Sequence, residues 1–212
     1  MAIKFFDCKG YGQIEPNQVW FTRSGMVEAQ CELDPEKFAS HFPMTSEEAT
    51  NGLIYGENGS FLMVDKVNRI ATVPNKEMSD NGYPMGINYS TERIYNQFTP
   101  GRRNFCMIHG EFLPRIGYVE PGMRITTNSV AWDDTVFTQD NSKDFYDAVK
   151  TQLATPDADP IYAVVTEGSN GKLVIGATPD TALGNVYAQV VKAYTNADGT
   201  RSFMFQFINK PL

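Results

Sequence analysis

The sequence predicts a mainly β fold, an antiparallel β-sandwich or barrel with one to three short helices, and three observations carry that expectation. Four Asn-Gly dipeptides punctuate the chain, at 51–52, 58–59, 81–82 and 170–171. Both residues of a type I′ hairpin turn need positive φ, which this dipeptide tolerates. Short apolar runs of strand length lie between turn signals, several with period-two alternation. The chain also holds 14 Phe and 10 Tyr, types that fit a half-buried pleated surface better than a helix.

Element by element, the first expected hairpin pairs residues 53–57 with 60–64 across Asn58-Gly59. A second pairs 161–166 with 172–175 around Asn170-Gly171. A third pairs 186–195 with 201–208 across the polar turn 196–199. In its last strand Phe203, Phe205 and Phe207 share one face, so all three are assigned to the core. Glu120, Pro121, Gly122 and Met123 read as a type II turn, with Pro presetting φ and Gly at the positive-φ position, joining strands over 116–119 and 123–127. Residues 104–109 read as a further strand.

Helical signals are few. Ser142 is placed to cap a helix over 143–153, where Phe145, Val149 and Leu153 recur every four residues, and Pro156 ends it. Ser90 is placed to cap a short helix over 91–98, and 35–40 suits a single turn. The polar, proline-containing stretch 155–160 is a boundary candidate. The domain expectation is a β-rich unit over 1–140 and a helix with antiparallel strands over 141–212, possible as a second lobe of the same domain.

At 212 residues, with 42% hydrophobic and 20% charged residues, the composition is that of a globular chain. The net charge of −7 argues against a nucleic-acid partner, because phosphate binding needs clustered Lys and Arg. Arg102-Arg103, the one adjacent basic pair, follows Pro100-Gly101 and reads as a solvated loop. The first seven residues meet charge too early for a signal peptide, and no run approaches the ~20 apolar residues of a membrane span. Synthesis in a cytoplasm, with no membrane partner, is expected. Three widely spaced cysteines argue against a disulfide framework.

Catalytic and metal-binding patterns are thin. Cys106 and His109 lie three apart, and Cys8 and Cys31 could in principle complete a Cys₃His zinc site with them. Residues three apart on a strand face opposite ways, and no close Cys pair supports a zinc site. The two histidines, His41 and His109, sit in no nucleophile motif, and no Gly-x-Ser-x-Gly or Ser-x-x-Lys occurs. Asp133-Asp134 and Asp157 with Asp159 lack a calcium-loop pattern and read as turn formers. Gly10-Tyr11-Gly12 lacks the lysine and helix of a phosphate loop. Trp20 and Trp132 invite a sugar-stacking reading, against which core and interface roles weigh more. The expectation is therefore no enzyme: no catalytic residue, no metal ligand and no cofactor.

Two stretches, 82–90 (Gly-Tyr-Pro-Met-Gly-Ile-Asn-Tyr-Ser) and 112–128, where a strand leads through Pro121-Gly122 into the Thr-rich Arg124, Ile125, Thr126 and Thr127, resemble small β-rich virion proteins of tailed bacteriophages. The likeness is strongest to capsid decoration (cement) and accessory head proteins, and the closing segment 186–212 is similar in style. This resemblance implies a non-enzymatic structural protein of the virion, made in the host cytoplasm, that decorates or stabilises a capsid through self-association or contact with the major capsid protein. It carries over no functional residue. A tail-tube or connector subunit and a β-sandwich glycan-binding module are the alternatives.

Overall fold

A computed structural model describes residues 2–8, 10–15, 19–21, 27–28, 31–38, 56–90, 106–107, 109–110, 114–196 and 199–211. Among them, thirteen strands form two sheets. The seven-stranded sheet runs β1 (Ile3–Phe5), β9 (Val130–Asp133), β11 (Leu173–Ile175), β10 (Tyr162–Val165), β12 (Tyr187–Thr195), β13 (Arg201–Phe207) and β8 (Arg124–Thr127). The six-stranded sheet runs β2 (Val27–Glu28), β7 (Ile116–Tyr118), β6 (Met85–Asn88), β4 (Phe61–Asp65), β5 (Ile70–Thr72) and β3 (Glu32–Leu33). All neighbours are antiparallel except β9 with β11 and β3 with β5. The arrangement is sandwich-like and mainly β, without a closed barrel. The larger sheet draws strands from both sides of residue 141.

Alternation along the strands builds the layers. Phe61 and Met63 of β4 enter the cluster shared with the larger sheet, while Leu62 and Val64 enter a second cluster with Leu33, Phe38 and Ile116. The larger sheet sends Val130, Trp132, Leu173 and Ile175 inward and Ala131 and Val174 to its other side. Phe203, Phe205 and Phe207 are buried in the shared core as the period-two reading requires. The β10–β11 and β12–β13 hairpins pair in the expected segments, and Asn170 and Gly171 both have positive φ. Gly122 has a φ of 95°, and the Met123 amide donates to the Glu120 carbonyl at 3.1 Å, so the Pro-Gly turn forms. Its two flanking strands, β7 and β8, belong to different sheets.

Helix α1 (Lys76–Asp80) is short; helix α2 (Ser142–Ala154) is the main one. The cap of α2 is Asn141 rather than Ser142, its side chain accepting from the Asp144 amide. Ser142 Oγ instead accepts from the Asp7 amide at 2.8 Å and ties the helix to the chain after β1. Phe145, Tyr146 and Val149 are the buried face of α2. Trp132 stacks on Phe145 with ring centroids 4.4 Å apart and planes 10° from parallel.

Two sequence expectations need correction. The hairpin about Asn58-Gly59 does not form. Strand β4 takes β5 and β6 as its two neighbours, and Gly56 bridges Met107 instead. Gly59 has a φ of 85°, but Asn58 is not among the positive-φ residues, so the turn is not type I′. Residues 53–55 lie outside the described residues. Asn81-Gly82 is likewise no hairpin: it ends α1, with Gly82 at φ 73° and amides of Gly82 and Tyr83 donating to the carbonyls of Ser79 and Met78. That is a Schellman stop, which needs the same left-handed glycine as a hairpin. The expected helix over 91–98 and the dipeptide at 51–52 lie outside the described residues. The turn expected near 35–40 is present where described, the Lys37 and Phe38 amides donating to the Asp34 carbonyl.

Candidate functional site

A cleft of about 790 Å³ opens on the seven-stranded sheet, a volume suited to a small organic ligand. Four segments far apart in sequence build it. Lys4 to Cys8, at the edge of the sheet, form one wall. Asn128, just before β9, and Trp132, within it, also line the cleft; Asp140 to Lys143 bring the N-terminus of α2; Gly199 to Arg201 bring the base of the β12–β13 turn.

The cleft is held together by charge and hydrogen bonds. Lys4 Nζ lies 2.7 Å from Asp134 and 3.5 Å from Asp140, and it donates to the Gln139 carbonyl at 3.2 Å. The hydrogen bond it donates to Asp134 is the main reason its ammonium is held above the ordinary lysine range. Arg201 sits 5.4 Å over the Tyr146 ring, and no carboxylate pairs with it among the described residues. In a chain of net charge −7, the cleft collects Lys4, Lys143 and Arg201 against Asp7 and Asp140. Two buried donors of residues that line it, Asn128 Nδ2 and Trp132 Nε1, have no acceptor among the described residues. Asn128 Oδ1 accepts from the Gln13 amide at 2.6 Å, which fixes which end of the carboxamide is left over.

Behind the cleft a polar seam crosses between the sheets. Lys172 Nζ and Glu57 form an ion pair at 2.7 Å, with side chains only 13% and 18% exposed. Burial pulls the Lys172 ammonium down, but the Glu57 carboxylate more than offsets this and holds it above the ordinary range. Ser129 Oγ donates to Glu57 at 3.2 Å. Nearby, burial pushes the Cys8 thiol up to about 12, against the opposing pull of Lys172, so Cys8 is an inert thiol rather than a nucleophile. Lys172, charged and paired, has no free lone pair with which to act as a base for Ser129.

The residues weighed from sequence fall in separate places. Cys8 belongs to the sandwich core, whereas Cys31 belongs to the second cluster with Met107. Cys106 is buried, and Met107, read as mid-strand, makes a bridge to Gly56. His109 Nδ1 lies 2.7 Å from the Leu33 carbonyl. Asp133 accepts from the Thr135 amide and hydroxyl at 2.9 and 2.7 Å, in keeping with turn chemistry. Asp157 occupies a turn at φ 58°. Trp132 is 2% exposed and covered by Phe145, while Trp20 is 68% exposed. His41, Arg102 and Arg103 lie outside the described residues. No local pattern announces the cleft, because each of its four segments supplies only a few residues.

No protein-family model, no curated protein and no solved structure matches the chain. No described helix is long and apolar enough to cross a membrane.

Proposed function

We propose that this chain is a non-catalytic structural protein of a virion that decorates or stabilises a phage capsid, by burying surface against copies of itself or against the major capsid protein. The observation that supports it best is the placement of exposed aromatics. Phe5, on the edge strand β1, is 44% exposed; Trp20, which pairs with Arg124 beyond the opposite edge strand β8, is 68% exposed. Large aromatic side chains at both ends of one sheet suit a subunit contacted from two sides, as a lattice requires. Each contact can be weak, since many copies acting together multiply it.

The test strips the protein from assembled particles and compares their resistance to heat and osmotic shock. Loss of robustness, restored by added protein but not by a Phe5→Ser/Trp20→Ser variant, supports the reading. Equally robust stripped particles, with an isolated chain that stays monomeric and never rebinds heads, overturn it. Trp20 also favours a second reading, a glycan-binding module, since its face is open for sugar stacking. A glycan array that loses its signal with Trp20→Ser, on a chain that never binds particles, would select that reading instead.

A further inference from the structure

We propose that the outer face of the seven-stranded sheet binds an extended oligosaccharide along one row of side chains, Trp20, Arg124, Gln206, Gln189 and Tyr162. The inference rests on the glycan reading of Trp20 and does not need the assembly role. Strand register builds the row. Trp20 bridges Arg124, Arg124 pairs with Gln206, Gln206 with Gln189, and Gln189 with Tyr162, so the five lie side by side across neighbouring strands. At ~4.8 Å per inter-strand step the row is about 19 Å long, the span of several sugar units. Alternation sets its facing. Val19 and Phe21, on either side of Trp20, pack against the shared core, and Ile125, Phe205, Ala188 and Ala163 are buried in it, so the five residues beside them point to the opposite face.

The second support is chemistry. Trp20 is 68% exposed, Arg124 is exposed, and Gln206, Gln189 and Tyr162 are half-buried. Arg124 donates from Nε and Nη2 to Gln206 Oε1 at 3.1 and 2.9 Å, which leaves the Gln206 amide nitrogen for another acceptor. The Gln189 carboxamide has no partner among the described residues, so it offers both a donor and an acceptor. Aromatic rings at the two ends suit the C–H faces of sugar rings, and the amides and guanidinium between them suit hydroxyls, which donate and accept. A protein partner fits less well: interfaces place apolar groups at the centre and polar groups at the rim, the reverse of this row. The third support is shape. A concavity of about 530 Å³ adjoins the Tyr162 end, lined by Tyr162, Pro179, Asp180, Lys210 and Pro211, with Lys210 and Asp180 paired at 2.9 Å. It offers a terminal sugar walls as well as a floor.

The experiment titrates the full chain by calorimetry with hexasaccharides of cellulose, xylan, mannan, amylose, chitin and galacturonan, and with the matching disaccharides. Saturable binding of at least one hexasaccharide is expected, with its disaccharide at least tenfold weaker because it cannot span the row. Trp20→Ala, Gln189→Ala and Tyr162→Ala should each weaken that binding at least fivefold. Tyr162→Phe, which keeps the ring, should retain it, and Lys150→Ala, on α2, should change nothing. If Tyr162→Ala fails to fold, Trp20→Ala and Gln189→Ala decide. Absence of saturable binding by every hexasaccharide overturns the proposal, and so does equal affinity for the disaccharide. Binding lost with Trp20→Ala but unchanged by Gln189→Ala overturns the row while leaving the glycan reading of Trp20 standing. Self-association in sedimentation velocity that Gln189→Ala abolishes, with no sugar bound, assigns the face to a second copy and also overturns it.

Discussion

The amide of Phe61 donates to the carbonyl of Gly171 at 2.7 Å, so the turn of one sheet's hairpin is bonded to the first residue of a strand in the other. Gly171 has a φ of 74°, and a Cβ there would run into the Phe61 backbone carbonyl. Gly168, in the same loop at φ 78°, has open space at the Cβ position. Gly168→Ala should therefore cost about 1 kcal/mol, from left-handed strain alone. Gly171→Ala should cost at least about 2 kcal/mol more, because backbone cannot move aside as a flexible side chain can. Urea unfolding of the two variants measures the difference, and equal midpoints would contradict the close approach.

The Glu57–Lys172 pair predicts an asymmetry between single and double replacement. Glu57→Gln leaves a buried ammonium without its counter-charge and should destabilise by about 3–5 kcal/mol. Replacing both, as Glu57→Gln with Lys172→Met, should recover much of that loss, since no charge is then left buried. A double-mutant cycle by denaturant unfolding checks the sign, and additive losses would show that the two side chains do not act as a pair.

Alkaline pH should unfold the protein in a defined window. The Cys8 thiol is held near 12 in the fold, above its ordinary value of 9.0, mainly by burial. Above pH 9 the unfolded chain ionises this thiol and the folded chain does not, so stability is full below pH 9 and falls as pH rises toward 12. Lys172 acts with the same sign, because its folded value is also raised: the contribution is present below 10.5 and lost as pH passes the folded value. The Cys8 share is about 4 kcal/mol at most, from roughly 1.4 kcal/mol per pH unit. Cys8→Ala should flatten the fall between pH 9 and 12, measured as the thermal midpoint against pH.

The Asn-Gly dipeptides should differ in deamidation, in which the glycine amide attacks the Asn side chain and ammonia leaves. Asn58 is buried, its Oδ1 accepting from the Ser90 amide, while the Gly59 amide donates to the Asn88 carbonyl. The Gly82 amide is engaged by Ser79. Asn170 is exposed on a turn, and its side chain makes no bond among the described residues. Peptide mapping of aged protein should therefore find conversion at Asn170 ahead of Asn81, with Asn58 last. Faster conversion at Asn58 would contradict the burial of its turn.

What the sequence disclosed was local. Alternation placed Phe203, Phe205 and Phe207 in the core because one strand's two faces differ in solvent exposure, which needs no knowledge of partners. The hairpins at 162–175 and 187–207 were legible because their partners adjoin in the chain. Asn81-Gly82 misled because left-handed glycine serves a helix stop as well as a hairpin. The neighbours of Phe61–Asp65 were not legible, since β4 chooses β5 and β6 over the residues that precede it. Asn141 outcompeted Ser142 as the cap because Ser142 is engaged by Asp7, more than a hundred residues away. The cleft was invisible for the same reason: its four wall segments come together only through long-range pairing.

The order of strands in the larger sheet bears on how the chain leaves a ribosome. Strands β10 to β13 are consecutive in the chain and adjacent in space, so they can assemble from local contacts as they emerge. Strand β1 is made long before its partner: its register pairs Ile3 with Asp133, and β9 in turn lies parallel to β11. The segment that carries β1 must therefore wait for this partner until β9 has been translated. Its Phe6 ring, which later packs edge-on against Phe203 at 5.5 Å, spends that interval exposed. Such a high contact order makes folding slow and leaves the nascent chain reliant on whatever shields apolar segments during synthesis.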